Sequence, residues 1–245
     1  MRTALAILIA CAAFAASLIC LVVLDETFGS GEIEASIVAA VLAALLAPSF
    51  LVIAAGVIAA PKAGLRSHVL DSVRGNVPHI AGKWASTAFI GFSACLLAVL
   101  VSATIRFLSP VSFTAEYQWR DLTMTDGVEL VAEFFIAAIF CWVGLLSILA
   151  WICLKIFGTA RRTFALAVAI AVLEGLGLGL VALVSLYLDY PLDLAVMAES
   201  LAWCIATVTC AWLYVTRTLE HGLLALAWFP ALILTLQPLW VYLGV

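Results

Sequence analysis

The sequence predicts an all-α polytopic membrane protein: a bundle of about seven transmembrane helices, N-terminus cytoplasmic and C-terminus outside. Three observations carry this. Of 245 residues, 67% are hydrophobic and only 11% charged, where soluble domains run near 45–50% and about 25%. The apolar residues fall in runs of roughly 20 or more, the length a helix needs to cross a hydrocarbon core about 30 Å thick. The basic residues also alternate between the ends of those runs. Too little polar surface remains to coat a water-soluble globule of this length, which excludes a soluble enzyme.

The first run, 4–24, follows Met1-Arg2. Ala13-Phe14-Ala15 superficially suggests a signal-peptidase site, and Leu8-Ile9-Ala10-Cys11 a lipoprotein box. Either cut would fall inside a run that stays apolar as far as Leu24, so a retained first span is expected. The second run, 34–60, ends at Pro61. In the following segment, 61–85, Leu65, Val69, Leu70 and Val73 recur at helical spacing against Arg66, Ser67, Asp71 and Arg74. This reads as a short amphipathic helix on the inner surface, serving as a connector or as a dock for a cytoplasmic partner. His68 and Asp71 fall on its solvated face.

The third run, 86–108, carries a small and polar stripe: Gly91, Cys95, Ala98, Ser102 and Arg106. The loop 109–126 holds Phe113, Tyr117, Trp119 and Arg120, an aromatic set suited to the headgroup layer. Runs 127–154 and 164–188 form a hairpin around Lys155, Gly158, Arg161 and Arg162. After Asp189-Tyr190-Pro191 comes 194–216. The last run, 222–243, is interrupted by Pro230 and Pro238, so a kinked or re-entrant segment, or six spans in all, stays open. No loop is long enough to bury a core of its own, so residues 1–245 read as one membrane domain without a soluble one.

Orientation follows from Lys and Arg, which stay on the cytoplasmic side of short loops. Arg2, Lys62, Arg66, Arg74, Lys83, Lys155, Arg161, Arg162 and Arg217 fall inside; only Arg106 and Arg120 fall outside. The outer loops are acidic instead, so the net charge of −4 is split across the membrane and points to no nucleic-acid partner.

Four ionisable residues inside the runs carry the functional argument. Glu174 falls about 3 Å from the middle of its span, and Glu133, Glu199 and Arg106 about 12, 9 and 13 Å above theirs. Intramembrane carboxylates are costly and mark function by default. Two readings stay open. Arg106 neutralises Glu133 or Glu199 and fixes helix register, or Glu174 with Glu133 and Glu199 lines a proton or cation path or a polar pocket. Ala167, Ala171, Gly175 and Gly179 repeat at intervals of four beside Glu174, a stripe that lets helix backbones approach closely.

Other chemistries lack their residues. The three histidines, His68, His79 and His221, fall in inner loops, so no span holds a haem-ligating pair. No mid-span lysine could carry a Schiff base, and no zinc-hydrolase or serine-nucleophile motif occurs. The seven cysteines lie within spans without C-x-x-C spacing and read as small packing residues. Trp84, Trp151 and Trp240 suit the interfaces, while Trp142, Trp203, Trp212 and Trp228 suit helix packing. No cofactor or metal is expected. The expectation is a small bacterial inner-membrane transporter or permease, its carboxylate Glu174 coupled to proton or cation movement. The alternative is a non-catalytic membrane subunit of a larger complex, with an intramembrane enzyme least favoured.

Overall fold

The computed structural model of the chain describes residues 2–24, 35–73, 83–108, 124–187, 194–236, 238, 239 and 242. Among them the chain is helical apart from short turns, with no strand. The helices are α1 (Arg2–Leu24), α2 (Ala35–Lys62), the short α3 (His68–Val73), α4 (Trp84–Leu108) and α5 (Met124–Ala137). A π-helix (Ala138–Leu146) joins α5 to α6 (Ser147–Phe157). A 3₁₀ turn (Thr159–Arg161) then leads to α7 (Arg162–Tyr187), α8 (Leu194–Thr216), α9 (Leu219–Leu226) and α10 (Trp228–Thr235).

Three helical stretches are long and apolar enough to cross a membrane: Trp84–Leu108, Val128–Phe157 and Thr159–Leu180. Shorter apolar stretches cover Thr3–Ile19, Leu46–Lys62, Ser200–Thr216 and Leu219–Thr235. The run at 222–243 is not one continuous helix. It breaks at Ala227 into two eight-residue helices, each about 12 Å long by the rise per residue. Pro230 sits in the first turn of α10, where its missing N–H forfeits no bond; in the middle of a single helix it would have broken the ladder.

Packing is organised around two seams. α4 lies along α8, with α9 and α10 closing over both. The face α4 turns to them buries Thr87 and four of the five stripe positions, Gly91, Cys95, Ala98 and Ser102, while the fifth, Arg106, stays half-exposed. The Cys95 thiol donates to the Ala225 carbonyl at 3.4 Å, where Gly91 also leaves no space for a side chain. The second seam brings α2 against the π-helix and α6. Here the backbones touch: a Cβ at Gly56 would fall on the Val143 carbonyl oxygen and 2.6 Å from the Gly144 Cα. Only glycine permits that approach. The outer side of the same π-helix places Trp142 in a stack with Tyr214 of α8 at 6.5 Å. Ser147 ties its end down, donating to the Trp142 carbonyl (3.1 Å) and sharing a 2.9 Å hydrogen bond with the Tyr214 hydroxyl.

At one end of the bundle the basic residues gather. Lys62 and Lys155 each stand 5.3 Å over the Trp151 ring. The Arg162 guanidinium donates to the Gly64 carbonyl at 3.1 Å. Gly64, at φ 69, ends α2: its N–H reaches the Pro61 carbonyl and that of Leu65 reaches Ala60. This is the paired capping pattern that a left-handed glycine makes possible. The turn delivers the chain into α3 with Leu65 buried.

The amphipathic reading of that segment needs correction. Val69 is 53% exposed, while Ser67 is buried and Leu65 and Leu70 face the core. Ser67 is turned inward because its hydroxyl is taken up by a carboxylate from α9, described below. Arg74, the aromatic set at 113–120 and Trp240 lie outside the described residues.

Candidate functional site

Two clusters of buried polar groups stand out. The first is built at the middle of the apolar length. Glu174 occupies the centre of the 26-residue α7, whose buried face is Ala165, Leu166, Ala169, Ile170 and Leu173. α8 packs alongside and brings Thr207 to the carboxylate, the hydroxyl donating to Oε2 at 2.9 Å. The same hydroxyl lies 3.4 Å from the Trp203 and Cys204 carbonyls of its own helix. With one proton to give, it favours the shorter bond to the carboxyl over these back-bonds.

A third wall comes from the π-helix, with Cys141, Trp142 and Leu145, and the α5 end adds Phe134. Together they enclose a cavity of about 310 Å³ whose surface is almost wholly apolar apart from Glu174 and Thr207.

The other sequence-predicted residues are distributed differently. Glu133 sits on the exposed side of α5; its neighbour Phe134 takes the wall position. Arg106 is half-exposed at the end of the α4 seam and, like Glu133, is not among the walls. α4 packs with α8, α9 and α10, whereas α5 packs with α1, the π-helix and α10. Arg106 and Glu133 therefore stand on helices with different principal partners. The helical position 199 lies on α8, which runs antiparallel to α4 along its main seam, but the Glu199 side chain lies outside the described residues.

The stripe Ala167, Ala171, Gly175 and Gly179 is exposed, and a Cβ on Gly175 or Gly179 meets nothing within 4 Å. Among the described residues it meets no close approach. Both α6 and α8 meet α7 on the other face, where alanine alternates with leucine and isoleucine. The close backbone contacts fall at Gly56, Gly91 and Gly222 instead.

The second cluster was not predicted. It lies at the basic end, where α3, the start of α4 and the start of α9 meet. Glu220 reaches across to α3: its Oε1 accepts from the Ser67 hydroxyl at 2.6 Å and from the Val69 amide at 3.0 Å. Ser67 also caps α3, accepting from the Leu70 amide at 3.2 Å. A carboxylate and a serine thus satisfy the first turn of a six-residue helix, where amides point outward and negative charge is favoured.

His221, fully buried, shares a 2.7 Å hydrogen bond between Nδ1 and the Thr218 hydroxyl and stacks on Trp84 at 4.2 Å. His68 stacks on the same indole at 5.8 Å. The Arg217 guanidinium closes the group by donating to the Lys83 carbonyl, Ser86 and Thr87. Three buried atoms, His68 Nε2, His221 Nε2 and Glu220 Oε2, have no hydrogen-bond partner in the chain among the described residues.

Electrostatics distinguish the two titratable groups that lie just before the last apolar run. Burial pushes Glu220 up, but hydrogen bonds from Ser67 and from the His68 and Val69 amides outweigh it and hold the carboxyl below its usual range. Burial, then the charges of Arg217 and His68, hold His221 below the ordinary histidine range against the pull of Glu220. Among the described residues no group of three or more His, Cys, Asp or Glu is placed to hold a metal ion.

A sequence signal for this cluster did exist. Thr218-Leu219-Glu220-His221 puts a capping residue and two titratable ones immediately before an apolar run. The partners, His68 and Trp84, are far away in sequence, so the pattern gave no reason to join them. Compared with known proteins, the chain matches no family, no curated protein and no solved structure.

Proposed function

We propose that the chain is a small integral-membrane permease in which the Glu174 carboxylate couples solute passage to the movement of protons or cations. A single observation carries the reading. A carboxylate at the centre of an apolar helix borders a cavity instead of being consumed by a basic partner at its walls. A group so expensive to place is expected to work where open space adjoins it. The gathering of Lys62, Arg66, Lys83, Lys155, Arg162 and Arg217 at one end supports a cytoplasmic basic face. We therefore propose seven crossings, N-terminus inside, in a bacterial inner membrane, with the last crossing made by the apolar run that begins at Gly222 and is broken between α9 and α10.

The test is proton flux in proteoliposomes loaded with a pH-sensitive dye. Glu174→Gln should reduce ion-gradient-driven flux to the level of empty liposomes while the protein inserts and purifies in normal yield. Undiminished flux in that variant would sink the assignment.

A second reading has one observation in its favour. The exposed stripe Ala167, Ala171, Gly175 and Gly179 offers a helix-docking face that the described residues leave uncovered. In a non-catalytic subunit of a larger complex, another membrane subunit would lie there. Stoichiometric co-purification of such a subunit in mild detergent, together with no Glu174-dependent flux, would favour this alternative.

A further inference from the structure

The cavity beside Glu174 has a composition that selects its occupant. Its walls are almost wholly apolar, with Phe134, Phe140, Leu145, Leu173 and Leu180 among them. A sugar, a zwitterionic amino acid or a nucleotide entering it would surrender many hydrogen bonds to water and regain one or two, a penalty such walls cannot offset. A molecule with an apolar body and a single polar head loses little and fills the space, the usual match between an apolar pocket and a few placed polar groups.

Charge chooses the head. Glu174 is the acidic group at the cavity, and among the described residues no Lys, Arg or His lines it. An anion is repelled; an ammonium meets a carboxylate in surroundings that strengthen the attraction. Thr207 already donates its proton to Glu174, so its oxygen is left to accept from a second donor.

Position chooses the route. Leu176 and Leu180, which border the cavity, are 60% and 62% exposed on the apolar flank of the bundle. Gly177 lies beside them, and a Cβ there would meet nothing within 4 Å. The opening thus faces sideways, at mid-helix, where hydrocarbon would lie, and not toward either end.

Resting on the reading of Glu174 as a working carboxylate, we infer that the cavity binds a compact lipophilic amine. The amine enters laterally from the bilayer and places its ammonium between Glu174 and the Thr207 hydroxyl oxygen. This separates the protein from a carrier of hydrophilic nutrients and makes its solute one that partitions into lipid first.

The experiment is calorimetric titration of the full chain in phosphatidylcholine nanodiscs, with empty discs subtracted. The probes are 1-aminoadamantane, 1-adamantanecarboxylate and ethanolamine, which vary the head and the body independently. Saturable binding of 1-aminoadamantane alone is expected. Glu174→Gln should weaken it roughly tenfold or more, the loss of a charge-assisted contact. Gly177→Leu, which fills the cavity and leaves the carboxylate in place, should abolish it. Three results overturn the inference: no saturable binding of 1-aminoadamantane, equal binding of ethanolamine, or binding untouched by both substitutions. The outcome is separable from that of the permease reading. Amine binding without proton flux removes the permease and keeps the ligand class; Glu174-dependent flux without amine binding does the reverse.

Discussion

Two half-buried carboxylates, Glu174 and Glu220, receive opposite treatment from the same fold. Glu174 stands at the centre of α7 with a hydroxyl donor on one side and a cavity of about 310 Å³ on the other. Glu220 stands at the basic end, where it joins α9 to α3 by bonds to Ser67 and Val69 and is packed beside a stack of two imidazoles and an indole. Space is what separates them. A carboxylate that holds pieces of chain together gives one oxygen to two donors at another helix, whereas one that meets a visitor keeps a side open to a cavity. Counting polar residues in apolar surroundings would have ranked Glu174 first and missed Glu220. Asking what each touches gives them different jobs.

The largest test of this contrast is to delete each carboxyl and compare stability. Glu220→Ala strips the first turn of α3 of an acceptor and leaves the Ser67 hydroxyl without its acidic partner. A loss of about 1.5–3 kcal/mol is expected for hydrogen bonds to a charged group. Glu174→Gln keeps size and an acceptor for Thr207, so its unfolding midpoint in detergent should stay near that of the parent. Equal losses in the two variants would erase the distinction.

A smaller effect comes from pH. His221 is held below the ordinary histidine value, so between that value, about 6.5, and its lower folded value the unfolded or detached state binds a proton that the folded state refuses. Its contribution is therefore intact above about pH 6.5 and weakens as pH falls. Glu220, also lowered, contributes fully above the usual carboxylate range and loses that contribution as pH falls from there through its lower folded value. Both act in one direction: acid loosens the basic end. Amide hydrogen exchange at Val69 and Leu70, corrected for the intrinsic pH dependence, should quicken from pH 7.5 to 5.5. Protection that does not change over that interval would remove His221 as the responsive group.

The smallest effect concerns the uncovered flank of α7. Gly175→Ala and Gly179→Ala add a methyl where nothing stands in the way, so each should stabilise an isolated chain by about 0.5–1 kcal/mol through helix propensity alone. If another helix docks on the stripe, the same substitutions should instead weaken association, visible as a shift in mass by light scattering.

Much of the helical order was legible in the sequence because apolar length is a strong signal. The first six runs coincide with helices to within a few residues. The last did not, since a proline inside an apolar run marks an interruption without saying whether the chain kinks or splits. The π-helix at Ala138–Leu146 left no trace: its residues are as apolar as their neighbours, and its contacts with Gly56 and Tyr214 come from outside the run. Glu174 was legible by depth. Thr207 was not, because threonines are common in apolar helices and usually bond their own backbone. The stripe on α7 was read as a contact because small residues permit one. Permission is not occupancy: the face of α7 that is buried carries Ala165, Leu166, Ala169, Ile170 and Leu173.

The contact between Gly56 and Gly144 has a consequence for how the cavity could be altered in nature or by design. The π-helix is a partition with α2 behind it and open space in front. Its rear is already flush, so a side chain of any size at position 56 must shove the partition forward or pry the two helices apart. The volume available beside Glu174 is thus set partly by a residue that never borders it. A catalogue of tolerated substitutions would record position 56 as intolerant for reasons of mechanics, and a search for changes in ligand size should look behind the wall as well as along it.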